Sequence, residues 1–203
     1  MNKALFYSLA ISILFVSCKE EAKLPILGQK EFIEGIDTDT IYHTVSYWNF
    51  TNQDGELISK GDYEGKVYVA NFFFTRCPGI CPVMTKNFRQ VQSETKGLNV
   101  SFLSHTVDPK NDTVGRLKWY CENKQLDNSN WAFVTGDQKA IYEMGVRSYL
   151  VPNSEDALAP GGFLHSDKFI LIDTKSRIRG MYSGTDSAEV ERLIVDVRKL
   201  TQE

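Results

Sequence analysis

Val67-Tyr68-Val69-Ala70-Asn71-Phe72-Phe73-Phe74-Thr75-Arg76-Cys77-Pro78-Gly79-Ile80-Cys81-Pro82-Val83-Met84 is the stretch that decides the fold. Its first half is almost continuously apolar, and such a run reads as a strand buried on both faces, as in a parallel sheet. The run stops at Thr75-Arg76, and two cysteines follow, four positions apart, each with a proline after it. A buried strand feeding a short Cys/Pro/Gly loop, with a helical pattern beyond it, delivers its side chains to the carboxyl edge of the sheet. That edge is where open α/β sheets carry their chemistry. With Cys77 on the loop and Cys81 in the first helical turn, the i, i+4 spacing points both sulfurs the same way. Two such sulfurs can chelate one soft metal ion, and they can also close into a disulfide. Pro82 suits a first helical turn, where its missing N–H would be unpaired anyway. The positive end of that helix, with Arg76 nearby, favours thiolate over thiol. A disulfide that merely stapled so small a ring would restrict the unfolded chain little.

Upstream, Thr44 to Thr51 is rich in aromatic and β-branched residues, Asn52-Gln53-Asp54-Gly55 is a turn signal, and Glu56 to Ser59 reads as the return strand of a hairpin. Downstream, Met84, Phe88 and Val91 recur at helical spacing and Gly97 ends the helix. Val100 to Val107 is a second strand, closing on Asp108-Pro109 at the same sheet edge as the cysteine loop. Asp112 or Thr113 caps a helix with Val114, Leu117 and Cys121 on its apolar stripe, which makes Cys121 a small core hydrophobe. Trp131 to Val134 is a third strand, and Asp137 starts a short helix that Gly145 stops. Val151 to Phe163 reads as a loop; after it come His165, a strand at Phe169 to Asp173, and a return at Arg177 to Tyr182. Asp186 with Glu189 caps the last helix, whose buried stripe is Val190, Leu193, Ile194, Val197 and Leu200. Hairpin, βαβ, α and ββα in that order, with right-handed crossovers, make an α/β thioredoxin-like fold: a central mixed sheet flanked by helices, with an N-terminal β-hairpin extension.

In that plan the loop entering the second hairpin lies against the cysteine loop. Thioredoxins place a cis-proline there; this chain has no proline from Gly161 to Ile172 and offers His165 instead. An imidazole facing two thiolates makes an S₂N donor set, which suits copper as Cu(I) or Cu(II). A structural zinc site wants a fourth protein ligand, and none is evident. Met84 falls on a core stripe. Asp108 and Asp112 read as turn and cap residues, Arg76 either offsets an anionic site or is solvated, and His43 and His105 receive no role.

The chain has 203 residues, 42% of them hydrophobic and 24% charged, which fits one globular domain with extensions. A formal charge of −3 argues against a nucleic-acid partner and gives no sign of a basic membrane-binding patch. Lys3 followed by the apolar run Ala4 to Val16 has the form of a signal peptide, too short for a spanning helix. Leu14-Phe15-Val16-Ser17-Cys18 resembles a lipoprotein cleavage box, with Phe15 where leucine is commonest. The resemblance implies that Cys18 becomes the lipidated N-terminus. Lys19-Glu20-Glu21 resembles a surface-export signal. The expected organisation is therefore residues 1–17 as a signal peptide of lipoprotein type, 18–37 as a lipid-anchored tether, and 38–203 as the domain. That domain would sit in the cell envelope, facing the periplasm or, by the export signal, the surface, and a thiol reductant protein would keep its cysteine pair reduced.

Together, Tyr63-Glu64-Gly65-Lys66, Asn71 to Thr75, Cys77-Pro78 with Cys81-Pro82, Val107-Asp108-Pro109 with Asp112-Thr113, and His165-Ser166 resemble the Sco (SenC) copper-chaperone family from Tyr47 to the C-terminus. The resemblance implies that Cys77, Cys81 and His165 bind one copper ion. It also implies delivery to the binuclear copper site of a haem-copper respiratory oxidase, or reduction of that site's cysteines. The position after Cys77-Pro78, commonly acidic in the family, is Gly79 here, and Val83-Met84 replaces a pair that usually includes an acid. A different class of function is also compatible with the pair: an envelope thiol–disulfide oxidoreductase using Cys77 and Cys81 without metal, or more distantly a peroxidase.

Overall fold

A computed structural model describes residues 22–32 and 40–203. The proposed leader and Cys18 lie outside the described residues. Strands β1 (Lys30–Phe32) and β2 (Thr40–Tyr42) form a small antiparallel ribbon. The hairpin β3 (Asn49–Asn52) and β4 (Leu57–Ser59) follows, closed by Asn52, whose Oδ1 accepts the N–H groups of Asp54 and Glu56. Then come β5 (Val67–Phe73), α1 (Cys81–Glu94), β6 (Val100–Thr106), α2 (Val114–Asn123), β7 (Trp131–Thr135) and α3 (Gln138–Glu143). The chain ends with β8 (Asn153–Glu155), β9 (Phe163–His165), β10 (Lys168–Ile172), β11 (Ile178–Ser183) and α4 (Ser187–Leu200).

The main sheet has seven strands in the order β11-β10-β5-β6-β7-β3-β4, with β5, β6 and β7 parallel and the rest antiparallel to their neighbours. This is the mixed, thioredoxin-like sheet expected, and the N-terminal hairpin extends it as an edge. All of β5 is buried because both faces are covered. On one face, Phe88 of α1 packs its ring against Phe102, Trp131 and Phe169. On the other, Phe72 stacks on His105 and meets Tyr149 edge-on.

Two expectations need correction. Gly145 does not stop its helix: a π turn, Met144–Ser148, carries it on. The Ser148 carbonyl is bonded to His43 Nε2 at 2.8 Å, so a long-range partner overrides the local stop signal. The stretch from Val151 to Phe163 is not all loop, since β8 and β9 pair as an antiparallel ribbon outside the main sheet, with Asn153 opposite His165. Within the segment expected as tether, the described residues Ala22, Leu24, Pro25 and Leu27 are hydrogen-bonded to the domain. Leu27 N–H donates to the Ile178 carbonyl at 2.8 Å, and Arg179 holds the carbonyls of Leu24 and Pro25.

Candidate metal centre

The cysteine loop begins where β5 runs out of sheet partners. Its anchor is the Asp108–Asp112 turn that follows β6, a neighbour because β5 and β6 are parallel and end at the same edge. Asp112 is fully buried and accepts Thr75 N–H at 3.0 Å, the Thr75 hydroxyl, and the Thr106 hydroxyl at 2.6 Å. Burial raises its carboxyl above the usual range, and the bonds from Thr106 and Thr75 oppose that rise. Thr113, not Asp112, caps α2, accepting Arg116 N–H. Asp108 binds half-exposed Arg76 at 2.8 Å, so the guanidinium is committed to an ion pair with the Asp108–Asp112 turn. Asp112 is thus a positioning residue that the sequence reading took for a cap. Its partners are 37 and 6 residues away, and no short motif reports both.

Cys81 opens α1, with Pro82 in the first turn, and is buried; Cys77 is partly exposed. His165 ends β9, and its ring stands edge-on to Phe74 with centroids 5.6 Å apart. Gly161 makes that approach possible: its φ is +79°, and a Cβ there would lie 2.9 Å from the Phe74 ring and 3.1 Å from Pro78. His165 Nε2 lies 3.2 Å from Cys81 Sγ and 3.8 Å from Cys77 Sγ, and the three donor atoms all fall within 4.8 Å of one another. His165 Nδ1 is 3.1 Å from the Ser166 carbonyl. The tautomer sets its role: with the proton on Nδ1 and donated there, Nε2 offers a lone pair to an ion between the sulfurs, and with the proton on Nε2 the ring donates to the Cys77 thiolate.

The pair titrates unequally. Cys77 is held down to about 4, chiefly by the bond from Cys81, with help from His165 and the N–H groups of Cys81 and Gly79. Cys81 is pushed up, because its proton is shared with Cys77 and because it is buried. The exposed sulfur is therefore the thiolate and the buried one keeps the proton. Sulfur ligands sit about 2.3 Å from a late first-row metal, so donors around one ion lie about 4 Å apart. The separations found here meet that requirement.

Apart from Arg76, which is paired with Asp108, the rim is uncharged. Pro78, Gly79, Ile80, Pro82, Val83, Pro160, Gly161 and Leu164 are all exposed around the three donors. Met84 is buried in the core. Cys121 is buried and free, its thiol pushed up to about 12 by desolvation. His43 is bonded to the π turn, and His105 lies wholly inside the core.

A family model described as SCO1/SenC matches residues 37–202. The chain belongs to the SCO1/SenC family. The SCO1 protein homolog of Bacillus subtilis (strain 168) is 32% identical to this SCO1/SenC protein over 167 residues, 79% of this chain and 84% of the relative. Among solved structures, a SCO1/SenC family lipoprotein from Bacillus anthracis str. Ames is 33% identical with a TM-score of 0.72, covering 78% of this chain and 95% of that one. BsSco, described as a member of the Sco family of cytochrome c oxidase assembly proteins with a disulfide switch, is 30% identical with a TM-score of 0.70, covering 78% and 94%. Bradyrhizobium japonicum ScoI, solved with copper bound, shares the fold at 20% identity and a TM-score of 0.65, covering 77% and 99%.

Proposed function

We propose that this SCO1/SenC protein captures one copper ion between Cys77, Cys81 and His165 and passes it to the copper-accepting subunit of a respiratory haem-copper oxidase. The observation that carries this reading is the S₂N triangle, with separations of 3.2 and 3.8 Å from the imidazole to the two sulfurs. Two sulfurs and one imidazole, with no fourth His, Cys, Asp or Glu donor in the cluster among the described residues, suit copper better than structural zinc. The copper-bound ScoI structure and the oxidase-assembly role given for BsSco support it.

The Cys77 thiolate, partly exposed, is the first ligand to meet the ion. Cys81 then gives up its proton, so capture releases acid. His165 supplies a neutral third donor and completes a low-coordinate site with room for an incoming ligand. An acceptor sulfur approaching over this rim displaces the donors stepwise. Oxidising the thiolate–thiol pair to a disulfide removes two electrons and the one proton held by Cys81, and takes both sulfur ligands away, so redox state gates capture; the disulfide switch described for BsSco supports this. A thiol reductant protein must restore the pair. The leader and the lipoprotein identity of the B. anthracis relative support anchoring through a lipid on Cys18, with the domain in the envelope. Among the described residues no helix is long and apolar enough to cross a membrane.

Copper titration of the reduced domain, read by absorbance and a competing chelator, should give one ion per chain. His165→Ala should weaken binding by about 100-fold. Unchanged affinity would remove the imidazole from the ligand set. The depressed Cys77 thiol favours a second reading, thiol–disulfide exchange without metal. It requires turnover on a disulfide substrate in metal-free buffer that survives His165→Ala.

A further inference from the structure

The N-terminal segment is clamped to the domain, and the clamp lies at the pole opposite the cysteines. Arg179, only 4% exposed, donates to the carbonyls of Leu24 at 2.7 Å and Pro25 at 3.2 Å while paired with Asp173 and Glu203. Leu24 N–H reaches Glu203, Lys199 reaches the Ala22 carbonyl, and Leu27 N–H joins the Ile178 carbonyl at the start of β11. These contacts gather where β5 and β11 begin and α4 ends. Val67 and Leu200 line the same cavity of about 450 Å³ as Leu24 and Arg179. Cys77 follows the far end of β5, and seven strand residues at about 3.3 Å each put more than 20 Å between the two poles.

The leash above the clamp is short. From Cys18 to Ala22 is four peptide steps, about 14 Å when fully extended. A lipid on Cys18 therefore keeps the clamped pole within about that distance of the bilayer, less than the span of the sheet. Exposed Lys23 and Lys175 line the cavity beside uncharged Asn99 and Thr174, and its two carboxylates, Asp173 and exposed Glu203, are bonded to Arg177 and Arg179, which leaves a local cationic excess. The chain's net negative charge hides this local excess, which suits an anionic headgroup surface.

We propose that the clamped segment makes the lipid anchor an orienting mount: the Lys23–Lys175 pole rests on the bilayer, and the Cys77–Cys81–His165 pole is aimed away from it. This rests on lipidation of Cys18, as read above. The test uses the full lipidated chain in vesicles containing phosphatidylglycerol and a nitroxide-headgroup lipid. A fluorophore is attached to Cys77 in a Cys81→Ser variant, or to the new thiol of T174C, which keeps both lysines, in a chain also carrying Cys77→Ser and Cys81→Ser. Quenching should be at least threefold stronger at position 174 than at position 77. Equal quenching, or stronger quenching at 77, overturns the mount while leaving anchoring intact. A chain whose mass shows no lipid on Cys18 and which does not float with the vesicles overturns the anchoring reading, and the mount with it.

Discussion

The rim cluster and the core behind it use the same two residue types to different ends, and they drive cysteine to opposite protonation states. At the rim, donors converge on Cys77 and hold its thiol down to about 4. In the core, Cys121 meets mainly apolar surroundings and is pushed up to about 12. His165 presents a ring nitrogen to two sulfurs at the surface. His105, walled in by Trp48, Phe50 and Phe72, is pressed down to about 3 by burial, and its Nδ1 has no partner. Residue type therefore does not by itself make a candidate metal donor here; convergence of such groups at a partly open edge does. Desolvation without that convergence yields inert filler.

The largest expected contrast is in thiol reactivity. In reduced, metal-free protein, alkylation of Cys77 followed by mass spectrometry should stay nearly constant from pH 8 to 5 and fall only as pH nears 4. Cys121 should react at least about 1,000-fold more slowly at pH 6. A Cys77 that titrates near 8.5 would erase the distinction.

The clasp under the rim comes next. Asp112→Ala strands two hydroxyls and an amide, and should cost about 2–4 kcal/mol in urea unfolding, with weakened copper capture. Thr113→Ala, one residue on, removes only a helix cap and should cost about 1 kcal/mol without altering capture.

In the core, His105 binds no proton in the folded state until pH approaches 3, whereas the unfolded chain protonates it below 6.5. The unfolded state thus holds more protons in that window, and stability must drop as pH is lowered, by about 1.4 kcal/mol per unit well below 6.5. Comparing unfolding at pH 7 and 5, His105→Leu should lose about 2 kcal/mol less than the parent. The smallest effect belongs to Cys121→Ala, about 1 kcal/mol of stability with copper stoichiometry unchanged.

The sheet was readable because Val67 to Phe74 is apolar at every position but one, a pattern that only two covered faces produce, and because Met84, Phe88 and Val91 mark one helix stripe. The three residues named as donors are the three whose ligand atoms the structure brings together. What escaped was long-range. Asn153-Ser154-Glu155 is a polar, proline-flanked triplet that becomes a strand only because Phe163 to His165 lies beside it. Gly145 looked like a stop because the His43 contact that continues its turn comes from a hundred residues upstream. Asp112 looked like a cap because Thr113, its neighbour, is one. The clamp at Leu24 and Pro25 depends on a buried arginine far along the chain, which no composition of the tether could announce.

The ribbon that carries His165 shares no strand pairing with the seven-stranded sheet. The two sulfurs sit where β5 hands over to α1, in the main body of the fold, while the candidate nitrogen donor rides on a separate two-stranded ribbon. The third donor can thus be exchanged within residues 153–165 without breaking a strand pairing of the main sheet.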